Sequence, residues 1–220
     1  MKRFWTLIVL LTGFHLAESQ KVLTVDTQTE KGQMLRKKKQ KFGTWTYYEN
    51  GRLVLEYDHN KNMVVFQQST EDRSYFYKDG EKWYPVAQLE VYPRYKGSYI
   101  QFYETIYQNI FYPQKAKDNS IEGVSFLSFE VTTEGEAINP EIINSLGYGC
   151  DEQMMKVFKK TKDHWITAIK NGQPLHTRFV VPFVFSFFSS DYQLDFADNL
   201  PPAALLDGVN ITLVSNRFSK

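Results

Sequence analysis

Three features that would narrow the class of this protein are scarce in its sequence: cysteine, proline and a charge excess of one sign. Cys150 is the only cysteine among 220 residues, so no intramolecular disulfide can form and the core alone must stabilise the fold. Lys and Arg number 26 against 25 Asp and Glu, so there is no overall basic field to attract nucleic acid. We therefore expect no nucleic-acid partner.

Long apolar runs are also lacking, with one short exception at the N-terminus. Lys2 and Arg3 precede an apolar run over residues 4–14, and residues 17–19 form a small-x-small site. The run is shorter than the roughly 20 residues that a membrane-spanning helix needs. We predict a secretory signal peptide over residues 1–19 and an exported, periplasmic chain that is soluble or peripherally held. An uncleaved inner-membrane anchor is the alternative.

Aromatic residues are abundant, at 16% of the chain with 14 Tyr and 17 Phe. Their rings pack well on pleated surfaces, so the composition favours a β-rich fold. After a polar lead-in over residues 20–40, residues 41–89 contain two turn signals, Asn50-Gly51 and Asp79-Gly80, each between aromatic runs. Such dipeptides are typical of tight hairpins. We predict an antiparallel β-meander of short hairpins over residues 41–89, including a strand over residues 63–66.

Gly43, Trp45, Tyr47, Tyr48, Asn50 and Gly51 form a repeat pattern in the first hairpin, and residues 77–80 repeat its end in the second. In these residues the region 41–89 resembles the MORN-related repeats. Their aromatic side chains could present a surface to a partner, but core packing and cross-strand pairing is the favoured interpretation.

The second half alternates helical and strand patterns. We predict a helix over residues 98–111, a polar loop over 115–119, strands over 122–133 and 137–145, a helix that Asp151 caps and that ends near Trp165, and a last strand over 175–188. The predicted fold class is α+β, with a C-terminal two-layer domain of helices on an antiparallel sheet. Residues 191–220 stay unassigned, apart from a possible strand over 209–214.

Two of these strands should bury one face each. In the first, alternate residues form that face: Ser125, Leu127, Phe129 and Val131. In the last strand the apolar residues share one parity: Leu175, Phe179, Val181, Phe183, Phe185 and Phe187. This alternation predicts a sheet with these side chains in the core.

Residues 93–188 contain an ordered series of mainly glycine, proline and aromatic positions: Pro93, Gly97, Tyr112, Pro113, Gly123, Val124, Gly135, Asp151, Trp165, Gly172, Pro174, Phe179, Pro182 and Phe185. In order and spacing, these residues resemble the TonB C-terminal domain family. The resemblance implies a two-layer domain over residues 90–190 that lies in the periplasm. It also implies binding of a peptide from an outer-membrane transporter, which adds as a strand to a sheet edge.

The chain departs from the full energy transducers of that family. It has 8 prolines and no proline-rich spacer, and Leu11 lies four residues before His15, where the anchor helix of the family has Ser. Thr167 replaces the proline that usually follows the tryptophan. We therefore expect the binding domain without its own coupling to the proton gradient. The alternative is a structural or scaffolding envelope protein that uses both β regions for assembly.

The expected partner is a protein, and the binding edge is expected in residues 139–145 or in the closing strand. The candidate partner-binding residues are Tyr112, Pro113, Asn139, Glu141, Ile143 and Ser145. A homodimer is a further arrangement that the sequence leaves open. The two hypotheses differ in whether a strand edge of the C-terminal domain is open or covered.

No pattern predicts catalysis, a cofactor, a metal site or a small-molecule substrate. Cys150 precedes a predicted helix, where the dipole could activate a thiol, but no nucleophile motif surrounds it. His15, His59, His164 and His176 lack metal-ligand spacing, and the acidic residues 191, 195 and 198 do not form a calcium loop. We expect that the protein is not an enzyme.

Overall fold

A computed structural model describes residues 22–70, 73–163, 165–188 and 200–212. The predicted signal peptide, with Leu11 and His15, lies outside the described residues. Contacts between Cα atoms divide the chain into two units. We call them the N-terminal unit, which comprises residues up to 69 together with 97–101, and the C-terminal unit, which comprises 70–96 and the residues from 102 onward.

The N-terminal unit contains a five-stranded antiparallel sheet whose strands follow each other in chain order. Its strands are β1 (Val22–Asp26), β2 (Glu30–Leu35), β3 (Gln40–Glu49), β4 (Arg52–Asp58) and β5 (Met63–Gln67). The predicted turn at Asn50-Gly51 joins β3 to β4, with φ of 50° and 76° at its two residues. The predicted polar lead-in is folded, because residues 22–35 form β1 and β2.

One face of this sheet is an aromatic core. Trp45 and Tyr47 of β3 are fully buried, and Tyr57 of β4 is 4% exposed. Trp45 Nε1 donates a hydrogen bond of 3.0 Å to the carbonyl oxygen of Gln33, and Tyr47 shares one of 3.0 Å with His59. Within the N-terminal unit, these rings of the predicted first hairpin therefore serve as core.

Gly32 on β2 lies directly against the ring of Trp45. A Cβ atom at Gly32 would lie 2.3 Å from Cδ2 of the Trp45 ring, closer than any real Cβ contact. Gly32 on β2 thus leaves the space that the indole occupies.

The C-terminal unit is built on a second sheet. Its strands are β6 (Tyr75–Asp79), β7 (Lys82–Val86), β9 (Gly123–Val131), β10 (Ala137–Ile143), β14 (Thr177–Ser186), β15 (Ala204–Leu205) and β16 (Val209–Thr212). The main path through the sheet is β10-β9-β14-β6-β7, and all neighbours on this path are antiparallel. The strands β15 and β16 lie off this path and pair with β14 in parallel.

The Asp79-Gly80 hairpin belongs to this second sheet, although the sequence analysis placed it in the same meander as the first hairpin. Tyr77 of β6 pairs with Thr177 of β14. The two hairpins have similar local sequences, and a turn signal does not reveal which sheet a hairpin joins. The predicted antiparallel meander and the predicted α+β class are confirmed. The predicted domain boundaries stay a prediction.

Helices and short strands complete the described residues. The helices are α1 (Tyr99–Asn109), α2 (Gln114–Asp118) and α3 (Cys150–Thr161). Two small ladders join β8 (Arg94–Tyr95) to β11 (Trp165–Ile166), and β12 (Ala168–Lys170) to β13 (Gln173–Leu175). The predicted polar loop over 115–119 is wrong, because residues 114–118 form α2 around the buried Ala116.

Both faces of the second sheet are covered. On the predicted core face, Phe129 and Phe179 stack with centroids 5.7 Å apart, and Trp165 lies 4.9 Å from Phe179. On the opposite face, Val180 and Val184 are also buried, in a cluster that Leu200 helps to cover. The prediction that one parity is core is therefore incomplete, because the tail buries the other parity.

A charge cluster joins several strands of the C-terminal unit. The Glu130 carboxylate on β9 is 9% exposed, and Arg178 Nη2 lies 3.4 Å and Lys78 Nζ 3.8 Å from it. His176 Nε2 lies 2.8 Å from the same carboxylate, outside the geometry of a hydrogen bond. Asn139 of β10 donates to the same carboxylate at 3.3 Å. Glu130 thus links β9 to β6, β10 and β14.

We predict that Gly32→Ala destabilises the N-terminal unit by about 1–3 kcal/mol, because the new methyl group forces the buried Trp45 ring to shift. Urea unfolding followed by circular dichroism measures the effect. Gly208→Ala is the matched control, since a Cβ there meets its nearest atom at 3.9 Å. Equal stability of both variants would contradict the assigned role of Gly32.

We predict that Glu130→Gln lowers the free energy of unfolding by about 1–3 kcal/mol, because it leaves half-buried basic side chains without their counter-charge. Glu136→Gln, at an exposed position of the adjacent turn, should change stability by less than about 0.5 kcal/mol. Chemical denaturation of both variants is the measurement. A Glu130→Gln protein as stable as the parent would show that the cluster adds nothing to the fold.

Candidate protein-binding edges of the C-terminal sheet

The closing strand β14 is not an edge. On one side it pairs with β9 from Thr177 to Phe185. On the other side it pairs in turn with Tyr77, with β15 and with β16. Of the two edges considered from the sequence, the one formed by the closing strand is therefore covered by other parts of the same chain.

Strand β10 is an edge strand, since β9 is its only ladder partner among the described strands. Four of the predicted partner-binding residues lie on it or just after it. Asn139, Glu141 and Ser145 are exposed, and Ile143 is half-buried. The structure thus groups these four residues at one border of the sheet.

Much of that border is closed to a new strand. The Ala137 amide already donates 2.9 Å to the carbonyl oxygen of Lys162. A register shift follows between Ile138 and Glu141, where Asn139 has φ of 50° and Pro140 has no N–H. Bulges and prolines of this kind protect sheet edges from unwanted pairing.

The remaining open position is Ile142. Thr132 N donates to Glu136 O at 2.9 Å, so the even-numbered residues of β9 direct their backbone groups to β10. Ser128 and Phe126 pair with Glu141 and Ile143 in this register. Backbone direction alternates along a strand, and Ile142 therefore turns its N–H and C=O to the open side.

Tyr112 and Pro113 lie inside the unit rather than on its surface. The Tyr112 ring stacks on Phe187 at 5.5 Å between centroids, and its hydroxyl donates to the carbonyl oxygen of Ile121. Pro113 packs against Gly149, where an added Cβ would lie 3.0 Å away. These two predicted residues support the fold around the candidate edges.

The start of α3 differs from the prediction. Gly149 with φ of 91° is the N-cap, and Asp151 is already inside the helix. Its carboxylate accepts hydrogen bonds from Ser145 Oγ and from the Leu146 amide, the latter at 3.3 Å. Asp151 therefore fastens the end of the β10 segment to α3, which a cap assignment from sequence does not reveal.

Cys150 offers no activated thiol. It is buried, and burial raises the pKa of its thiol to about 11, with the neighbouring Asp151 and Glu152 charges acting in the same direction. A thiol in this state is almost fully protonated at neutral pH, whereas a nucleophile must be a thiolate.

The described residues can also be compared with the requirements of a metal site and of a membrane-spanning helix. Within the part of the chain that the structure describes, no group of three or more His, Cys, Asp or Glu side chains could hold a metal ion. No described helix is both long and apolar enough to cross a membrane. His15 and His164 lie outside the described residues.

Sequence reasoning missed the surface beside the tail strand β16. A cavity of about 390 Å³ lies there, lined by Tyr107, Ile110, Phe111, Tyr112, Lys117, Asn210, Ile211 and Thr212. Tyr107 and Phe111 are 50% and 56% exposed. Large exposed aromatic residues at the end of a predicted helix were the available signal.

Comparisons with known proteins bear on the C-terminal unit. No curated protein and no solved structure gave a significant match to the chain. Residues 108–187 match the family described as "Gram-negative bacterial TonB protein C-terminal", which is 80 of the 220 residues. The match does not extend to residues 41–89, whose resemblance to MORN-related repeats stays a prediction. The chain thus contains a region similar to the TonB C-terminal domain, a protein-interaction family, as the resemblance implied.

Proposed function

We propose that the C-terminal unit is a periplasmic protein-binding module that accepts an extended segment of a partner as an additional strand beside β10. The observation that carries this proposal is the open backbone at Ile142 within the family-matched region. Backbone hydrogen bonds supply affinity in this binding mode, and no catalytic side chain is needed.

The border around Ile142 also has a charge preference. Glu141 is exposed on β10, Asp151 accepts a hydrogen bond from Ser145, and Glu152 follows it in the first turn of α3. Basic side chains would therefore be favoured next to the paired segment of the partner. Because few backbone groups are available, the complex should be weak and reversible.

The family match supports a partner in outer-membrane transport, with a transporter peptide as the added strand. In this proposal the protein binds such a partner without its own coupling to the proton gradient. The lack of coupling is inferred from two features of the sequence: no proline-rich spacer is present, and Leu11 precedes His15 by four residues where the family has Ser.

A structural role in the envelope is the second candidate, and β5 of the N-terminal unit favours it. This edge strand has the sequence MVVFQ, without charge or proline. Met63, Val65 and Phe66 are 49%, 54% and 43% exposed. An apolar edge without protecting residues is a site for pairing between chains, including two copies of this protein.

The test of the first candidate uses Ile142→Pro in the full chain, with peptides selected on the parent protein from a random extended-peptide library. Proline removes the open N–H without breaking a ladder hydrogen bond, so the variant should fold. We predict at least about tenfold weaker binding, since both the lost N–H and the ring oppose strand pairing. Isothermal titration calorimetry measures the affinity.

Ile142→Ala is the matched control, because it shortens the side chain and keeps the N–H; its affinity should stay within about threefold of the parent. Hydrogen exchange should also slow at the Ile142 amide when peptide binds. If Ile142→Pro binds as the parent does, with no protection at this amide, strand addition beside β10 is refuted.

A further inference from the structure

The tail strand β16 forms another edge of the sheet, because its one ladder partner among the described strands is β14. Val184 and Ser186 of β14 pair with Asn210 and Thr212 in parallel register. In a parallel ladder, a residue that directs its backbone toward the neighbouring strand bonds to the two residues that flank its partner there. Val184 and Ser186 are such residues, so the backbone groups of Val209 and Ile211 point toward β14. Asn210 and Thr212 therefore turn their N–H and C=O groups away from the sheet.

These outward groups border the 390 Å³ cavity. Asn210 and Thr212 both line it, and Tyr107, Ile110 and Phe111 at the end of α1 form its apolar wall. A volume of this size is within the range of small ligand sites, about 300–1,000 Å³. The cavity thus lies directly beside the outward backbone groups of β16, with aromatic and aliphatic side chains on one wall and polar groups in the rest of its lining.

The charge around the cavity is positive. Lys117 is its only charged lining residue, and its ammonium group has no ion-pair partner among the described residues. A second cation, Lys156, lies 5.3 Å from the Phe111 ring centroid. An occupant that combines an apolar side chain with a carboxylate complements both properties.

We propose that this cavity binds the C-terminal end of a partner protein, with backbone hydrogen bonds to Asn210 and Thr212, the last apolar side chain in the pocket and the terminal carboxylate on Lys117. A chain end suits the site because the outward backbone groups of Asn210 and Thr212 lie beside a cavity that Lys117 lines, and a terminal carboxylate pairs with that ammonium group. The backbone of a continuous strand carries no carboxylate for Lys117, and a free small molecule would leave the backbone groups unpaired.

The site is independent of the one beside β10, since the two borders are separated by β9 and β14. It also lies partly outside residues 108–187, because β16 follows the family-matched region. The proposal therefore stands whether or not a partner binds at Ile142.

The experiment compares two random hexapeptide libraries on the full chain, one with free C-terminal carboxylates and one with C-terminal amides. We expect selection from the acid library alone, with apolar last residues. Amidation of a selected peptide should weaken binding at least about tenfold, because the charge-assisted bond to Lys117 is lost. Fluorescence polarisation measures each affinity.

Three variants locate the site. Lys117→Ala should reproduce the loss seen on amidation, whereas Lys115→Ala, an exposed lysine on the same short helix outside the cavity lining, should bind as the parent does. Ile142→Pro should also leave this binding unchanged, which separates it from the proposed function. Selection of amides as readily as acids, failure to select any peptide, or equal binding by Lys117→Ala would each overturn the proposal.

Discussion

The C-terminal unit depends on the complete enclosure of strand β14. Its residues from Phe179 to Ser186 are buried on both faces, and ladder partners lie on both of its sides. Each large apolar side chain removed from water contributes about 1.5–3 kcal/mol, so this one strand supplies much of the core. In a chain with a single cysteine, hydrophobic burial of this kind takes the place of disulfides.

That enclosure explains what the sequence could and could not predict. Periodicity identified α1, α3, β9, β10 and β14 to within a few residues, because each pattern is local. It could not show that Leu200 and β16 return to cover β14, since pairing between distant segments leaves no local signal. The second apolar parity of β14, at Val180 and Val184, was the visible hint that both faces are buried.

For the candidate site too, local features could be predicted from the sequence and contacts between distant segments could not. Asn139, Glu141 and Ile143 lie on the edge strand β10, as a hairpin prediction implies, and their role in binding stays a prediction. Tyr112, which was predicted as a binding residue from the family resemblance, is buried. A family motif alone does not distinguish a residue that contacts a partner from one that stabilises the fold. The Glu130 cluster went unnoticed because its members come from β6, β9, β10 and β14, and only the folded sheet brings them together.

Because β14 is closed on both sides, open backbone lies on the outer strands, which among the described strands include β10, β7 and β16. The two that border candidate sites are β10, which is interrupted by the bulge before Glu141, and β16, where Asn210 and Thr212 face outward. Backbone pairing alone is therefore weak at either border, and side chains must supply selectivity. The borders differ in charge, with Glu141 beside one and Lys117 beside the other. Opposite charges beside β10 and β16 favour different partners at these two strands and disfavour the same segment at both.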